Sequence, residues 1–238
     1  MRVAAIADIH GNLPALEAVL ADVRHAGADL LVVAGDTISG PWPVECFDLV
    51  ERAGALVVRG NADREVCERR TRFGPLATWS ADRLGEERLA VAATWPLARV
   101  LEGVDGLGRV LVCHATPRSD EPIYTCATPD GEVLDLLGDV GAEVAVVGHT
   151  HVQFDRMLSS GLRVVNPGSV GPYEGRRGAF WALLGPGVEL QHTGYDVEGA
   201  VAAIRELGAP VKEEQLGLLL EPLQPDAAIA EFERLRGA

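Results

Sequence analysis

Five short apolar runs of this chain lead into seven residues of types that bind metal ions. Asp8 and His10 follow Arg2–Ala7, and Asp36 follows Leu30–Ala34 through Gly35. Asn61 follows Leu56–Val58 through Arg59 and Gly60. His114 follows Val110–Cys113, and His149 and His151 follow Val144–Val147 in the string Gly148-His149-Thr150-His151. Carboxylate, imidazole and carboxamide make a mixed oxygen and nitrogen donor set. Such a set suits Mn, Fe, Zn, Ni or Co better than Ca or Mg, which take all-oxygen shells. Seven donors exceed one tetrahedral site. They match two metals sharing a ligand, roughly 3.5–4 Å apart, an arrangement that can clamp an in-line displacement at phosphorus. Positioning and charge neutralisation are most of what phosphoryl transfer requires. A shared carboxylate should come from a central strand, which singles out Asp36.

The chain has six histidines, and four of them stand at these run ends beside acidic or amide candidates. His25, inside a helical stretch, and His192, near a strand end, read as structural or solvent-facing. Gly35, Gly60 and Gly148 precede candidates, as expected where backbone must bend sharply or pass close to an ion.

The elements that must position these donors are legible as alternating strand and helix. Apolar runs rich in Val, Ile and Leu read as strands buried on both faces. In open α/β sheets, sites form beyond the carboxyl ends of such strands. Between the first two runs, Asn12 can cap a helix and Pro14 suits its first turn. Leu13, Leu16, Leu20 and Val23 recur at helical spacing, and Gly27 ends the pattern. Asp29–Asp36 is the second strand, Val44–Arg52 a helix stopped at Gly54, and Ala55–Arg59 the third strand. This βαβαβ order predicts a largely parallel sheet. The Arg- and Glu-rich stretch that follows predicts helices around Glu65–Arg70 and Trp79–Ala90, with 62–105 expected as a helical insertion near the site. After His151, Gln153–Leu158, Arg163–Val165, Ala179–Leu184 and Val188–His192 read as short strands joined by turns, expected as a second, antiparallel sheet packed on the first. Residues 196–238 are expected to be helical, over Ala200–Leu207 and Ala227–Leu235. Neither half would bury its apolar face alone, so residues 1–238 read as a single domain.

A formal charge of −14, from 21 basic and 35 acidic residues, argues against tracking a long nucleic acid. It leaves a small phosphorylated substrate open, because bound cations reverse the local field. Lys212 is the sole lysine, which nearly excludes a P-loop or Schiff-base mechanism. Cys46, Cys67, Cys113 and Cys126 form no C-x-x-C pair. Cys113 and His114 are neighbours on a strand and should point to opposite faces, so they are not expected to act as nucleophile and base. No segment approaches the apolar length of a membrane span, and Val3–Ala7 is too short for a signal-peptide core, so the expected address is the cytoplasm.

The ordered set Asp8-x-His10, Gly35-Asp36, Gly60-Asn61-x-Asp63, His114 and Gly148-His149-Thr150-His151 resembles the motifs of the calcineurin-like metallophosphoesterases. Asp8-Ile9-His10-Gly11-Asn12-Leu13 and Asn166-Pro167-Gly168-Ser169-Val170-Gly171 are similar to its small bacterial and archaeal phosphodiesterase-like branch. The resemblance implies an α/β fold, a four-layer α/β/β/α sandwich of two mixed sheets flanked by helices. It implies two divalent ions, Mn2+ foremost. Asp8, His10, Asp36 and His151 would hold the first, and Asp36, Asn61, His114 and His149 the second. It implies hydrolysis of small phosphodiesters by a metal-bridging hydroxide, with Asp36, Asn61 and His114 at the reaction. A dinucleoside polyphosphate hydrolase, a protein phosphatase and a non-catalytic scaffold are the alternatives; retained ligands speak against the last. Larger members carry His between the Asn and Asp of the third motif, where it serves the phosphate or leaving group. Here Ala62 stands in that place, and a preference for good leaving groups is expected. Asp63, without that His, is either a support behind the ligands or a solvated helix-start carboxylate. Asn166 is expected to orient neighbouring ligands. Arg118, Tyr124, Arg176 and Arg177 are open between substrate contact and structure.

Overall fold

In the computed structural model, which describes residues 1–72, 74–172 and 175–237, the first three apolar runs are parallel strands. β1 (Val3–Ile6) pairs with β2 (Leu30–Val33), and β2 with β3 (Leu56–Val57). Helices α1 (Leu13–Ala26) and α2 (Pro43–Arg52) make the crossovers. The start of α1 follows its sequence signals: Asn12 Oδ1 accepts from the Ala15 N–H at 3.3 Å, and Pro14 lies in the first turn. Gly27 closes it in the left-handed conformation.

The remaining strands are β4 (Ala98–Val104), β5 (Gly108–Cys113), β6 (Val144–Val146), β7 (Phe154–Met157), β8 (Arg163–Asn166), β9 (Ala179–Leu184) and β10 (Val188–Thr193). They complete two five-stranded mixed sheets, ordered β10-β9-β1-β2-β3 and β4-β5-β6-β8-β7. The four strands expected after His151 form, but not as one antiparallel sheet. β9 runs antiparallel beside β1 and β10 extends the first sheet, while β8 lies parallel to β6 with β7 antiparallel to it. Turn residues determine that β7–β8 and β9–β10 are hairpins, but they do not determine where each hairpin docks. All six residues of β9 are buried, so it needs an interior place.

The helical stretch expected over 62–105 is shorter than expected. α3 (Asn61–Cys67) and α4 (Leu76–Ala92) are followed by β4, an edge strand paired with β5. Only Leu101 and Val104 of β4 are buried, so its apolar signal was weak. One helix lay outside the expectation, α5 (Asp130–Leu137); the helical segment expected over 196–238 forms three helices, α6 (Val197–Leu207), α7 (Glu213–Leu220) and α8 (Pro225–Arg236), of which α7 was not individually expected.

Alternation along β1 splits its side chains between two cores. Val3 and Ala5 meet Val110, Val112 and Val146 between the sheets. Ala4 and Ile6 face outward to Leu16 and Val19 of α1, Phe47 of α2 and Leu84 of α4. On the far side of the second sheet, Leu111, Ala145 and Val164 pack with Val133 and Leu137 of α5. The order of layers is therefore α/β/β/α. The C-terminal helices join through Val201, Ile204, Leu216 and Leu219, with Trp42 and Tyr195 against them. Among the described residues no helix is long and apolar enough to cross a membrane.

Candidate metal centre

The strand ends converge at one edge of the sandwich, and the backbone there is strained. Among the described residues, six non-glycine residues have positive φ, and five are Asp8, His10, Asp36, His149 and His151, with φ between 47° and 72°. Such a conformation costs about 1–3 kcal/mol per residue and persists only where surroundings enforce it. Here the strand-end loops are tied to one another. Asp8 N–H donates to Gly35 O at 3.0 Å, His10 N–H to Asp36 O at 2.9 Å and Gly148 N–H to His114 O at 2.8 Å. The glycines are sterically required: a Cβ on Gly60 would lie 2.1 Å from Asp36 Oδ1, and one on Gly35 would lie 2.5 Å from His114 Nδ1.

Asp36 stands between two groups of donors. Its Oδ1 accepts the Ala62 N–H at 2.8 Å. Its Oδ2 lies 3.6 Å from His10 Nε2 and 3.5 Å from His114 Nε2. On one side, His151 Nε2 is 3.5 Å from Asp8 Oδ1 and 3.3 Å from His10 Nε2. On the other, His114 Nε2 is 3.0 Å from Asn61 Oδ1, and the His114 and His149 rings are 4.9 Å apart. Two triads have donor atoms mutually within 4.8 Å, Asp8–His10–His151 and Asp8–Asp36–His114. All seven candidates from the sequence thus meet in one place. His114 Nδ1 pairs with Ala34 O at 2.8 Å, which leaves Nε2 turned to the centre. His149 Nε2 pairs with Glu121 O at 3.2 Å, which leaves Nδ1 as its other nitrogen.

The electrostatics suit a cation. Burial lowers the pKa of His10, and burial with the charge of His114 takes His149 down to about 4, so both rings are neutral donors at pH 7. Burial raises Asp8, but His151, His114 and His10 outweigh it and hold Asp8 at about 2. Burial opposes charge on His114 too, yet Asp36, Asp8 and the Ala34 carbonyl raise it. Two buried carboxylates thus face a ring of imidazoles, a donor set that fits two divalent ions sharing Asp36.

Behind the ligands, Asp63 is fully buried and accepts four backbone N–H groups: Asp36 and Thr37 at 2.8 Å, Ile38 and Gly60 at 3.0 Å. Of its two expected roles it takes the supporting one, holding the Asp36 loop. Burial and the Asp36 carboxylate push it up to about 7, against the pull of those donors. Asn166 also fits its expected role. Its Nδ2 donates to Gly148 O at 2.8 Å and Thr150 Oγ1 at 3.2 Å, which fixes the loop of His149 and His151.

Each of the four open residues has a contact within the protein, and none lines the cavity above the centre. Arg118 donates to the carbonyls of Asp135, Leu136 and Leu137 at the end of α5. Tyr124 is buried, its hydroxyl on Ala115 O at 2.5 Å. Arg176 lies over the Phe180 ring at 5.9 Å, and Arg177 binds Leu220 O and Glu198. Cys113 sits in the α5-side core, its thiol pushed by burial up to about 12, while His114 faces the centre. A cavity of about 420 Å³ opens above the centre. His10, Asp36, Asn61, His149 and His151 form its floor, and Leu76, Val211, Lys212, Leu216, Leu219 and Phe232 are among its wall. Sequence reasoning gave the C-terminal helices no part in the site. The signals were slight: the sole lysine, and Leu216 and Leu219 at helical spacing.

Comparison with known proteins agrees with this architecture. The family model described as the calcineurin-like phosphoesterase superfamily domain matches residues 1–185. An uncharacterised protein of Methanocaldococcus jannaschii is 29% identical over 227 residues, covering 85% of this chain and 91% of its own. The phosphodiesterase YfcE of Escherichia coli is 32% identical over 100 residues, 37% of this chain and 54% of its own. A crystal structure of a metallophosphoesterase from Sphaerobacter thermophilus superposes with a TM-score of 0.74 at 28% identity, covering 92% of this chain and 98% of that one. With its motifs, layers and strand-end donors accounted for, the chain belongs to the calcineurin-like phosphoesterase superfamily.

Proposed function

We propose that this chain hydrolyses small phosphodiesters at a centre of two divalent cations. Asp8, His10, Asp36 and His151 would hold one, and Asp36, Asn61, His114 and His149 the other. The observation that carries the reading is Asp36 Oδ2, nearly equidistant from His10 and His114 at 3.6 and 3.5 Å. When bound, such a pair supplies charge neutralisation and an acidified water. The chain's own residues do the rest. Asp63 and Asn166 fix the ligand loops, and the cavity wall orients the ester. Mn2+ is the first metal to test, with Fe, Zn, Ni and Co as alternatives. The four cysteines are unbridged, which suits the reducing cytoplasm.

The cavity supports a small substrate. Its volume of about 420 Å³ suits a single small organic ligand. Leu76, Val211, Leu216, Leu219 and Phe232 offer an apolar wall to one ester group while the phosphate meets the floor. A phosphoprotein would have to pass the wall made by α7 and the Gly74–Leu76 segment. Lys212 favours one second reading. As the only ammonium on the wall it suits further phosphates, hence a dinucleoside polyphosphate.

The test is turnover of an activated aryl diester and the matching monoester by metal-loaded protein, with elemental analysis. We expect about two ions per chain, diester favoured about tenfold in kcat/KM, and activity lost to a chelator and regained with Mn2+. No metal and no turnover of either ester would leave the scaffold reading in its place. The wall can be tested separately. Phe232, whose ring lies 6.5 Å from that of His151, should contribute to aryl binding. Phe232→Ala should raise KM for an aryl diester about tenfold, equivalent to about 1.4 kcal/mol, with kcat within about twofold. An unchanged KM would remove the C-terminal helix from the binding site.

A further inference from the structure

The helix that carries Ala62, where larger relatives have His, bears an acid one turn later. We propose that Glu65 donates the proton to the departing ester oxygen, an inference that rests on the phosphoesterase reading above. Glu65 follows Ala62 by three residues and Asn61 by four, which makes it a surface neighbour of each along α3, with its Cβ about 5–6 Å from theirs. Helical side chains lean toward the N-terminus, which here is toward Asn61 and the centre. The methyl of Ala62 leaves that direction open. Glu65, Ala62, Asn61 and Asp36 line the same cavity.

The carboxyl group has no structural employment. Glu65 is 4% exposed, yet among the described residues no hydrogen bond or ion pair reaches its side chain. The cations near it are engaged elsewhere: Arg64 with Asp120 and Glu121, Arg70 with Glu68, and Arg72 with Glu121. With no hydrogen bond its carboxyl oxygens keep what exposure the residue has, toward the cavity, while burial of the rest of the residue favours the protonated form. Burial raises the pKa of Glu65, Glu121 raises it further, and Arg72, Arg64 and Arg70 oppose. The remaining titratable groups around the cavity are His10, Asp36, His149, His151 and Lys212.

The step balances simply. The attacking water first loses one proton to solvent; as its oxygen bonds to phosphorus, the bond from phosphorus to the leaving oxygen breaks and its electron pair stays on that oxygen. The Glu65 proton moves onto it, an alcohol departs, and the Glu65 carboxylate regains a proton from solvent. Such help is worth about 10²-fold or more when the leaving group is basic and little when it is not.

The test compares metal-loaded wild type and Glu65→Gln, as full chains, on two diesters that differ only in an alkyl or a nitrophenyl leaving group. We expect kcat for the alkyl ester to fall about 10²-fold, kcat for the nitrophenyl ester to change less than about threefold, and both KM values to hold. The wild-type alkyl rate, relative to the nitrophenyl rate, should decline as pH rises through the Glu65 pKa; in Glu65→Gln that decline should vanish. The melting temperature of Glu65→Gln should stay close to wild type, since no hydrogen bond or ion pair among the described residues depends on the carboxylate. Adding Ala62→His to Glu65→Gln should restore part of the alkyl rate. Equal alkyl rates in wild type and variant overturn the proposal, as does an equal fall on both esters, which would mark a structural role. A wild type that hydrolyses neither ester overturns the functional reading itself, and this inference with it.

Discussion

Asp36→Asn should lower the turnover of an activated phosphodiester by about 10³-fold, equivalent to about 4 kcal/mol in the barrier, with little change in fold stability. The amide is isosteric, and its oxygen can still accept the Ala62 N–H that Oδ1 accepts at 2.8 Å. What it removes is the charge on the oxygen facing His10 and His114. A shared ligand without charge weakens both halves of a two-metal centre, so elemental analysis should drop from about two ions per chain to one or fewer. Thermal melting of the metal-free protein should stay within about 3 °C of wild type, a shift of less than about 1 kcal/mol for a chain of this size. Wild-type turnover with an unaltered metal count would mean that Asp36 is not the shared ligand.

Asp63→Ala should act on the fold first and the chemistry second. Its carboxylate is the common acceptor for the N–H groups of Asp36, Thr37, Ile38 and Gly60. Truncation leaves four donors in a fully buried place, at about 1–3 kcal/mol each when unpaired. Relief of the repulsion from Asp36 and entry of water offset part of this, so we expect a net loss of about 4 kcal/mol, or about 12 °C in melting temperature. The Asp36 loop then loses its anchor, and metal affinity should fall about 10–100-fold, the usual effect of removing an outer partner of a ligand. Melting in chelator, together with metal titration below the melting range, separates the two effects. A variant as stable as wild type would show that the four donors find other acceptors.

Much of the centre was legible because it depends on local features. A strand buried on both faces is a continuous apolar run, and its polar end is the next residue or two, so Asp8, Asp36, His114 and His149 announce themselves in order. Glycines at 35 and 60 mark backbone so close to a side chain that a Cβ would collide with it. Asp63 was harder to read. A carboxylate three residues into a helix is favourable in water as well as inside, and only its complete burial decides between the two. Edge strand β4 was illegible for a related reason. Exposure on one face left only Leu101 and Val104 buried, and the pattern drowned among neighbouring charges.

The sequence by itself determined which residues stand beyond the strand ends, since each is an early polar residue after an apolar run; Asp8, Asp36 and Asn61 follow strands of one sheet and His114, His149 and His151 strands of the other, so their meeting depends on how the two sheets pack. It determined the first crossover helix and its caps, which rest on contacts within a few residues. It also determined that β7–β8 and β9–β10 are hairpins. Only the tertiary structure decided where those hairpins dock, because the buried faces of β8 and β9 have to find partners far away in the chain. Only the tertiary structure brought α7 and α8 over the cavity, turned Glu65 into a wall residue beside Asn61, and spent Arg118, Arg176 and Arg177 on carbonyls and rings. Those assignments depend on which surfaces come to face one another. That is a property of packing between distant segments, and no local pattern of residues encodes it.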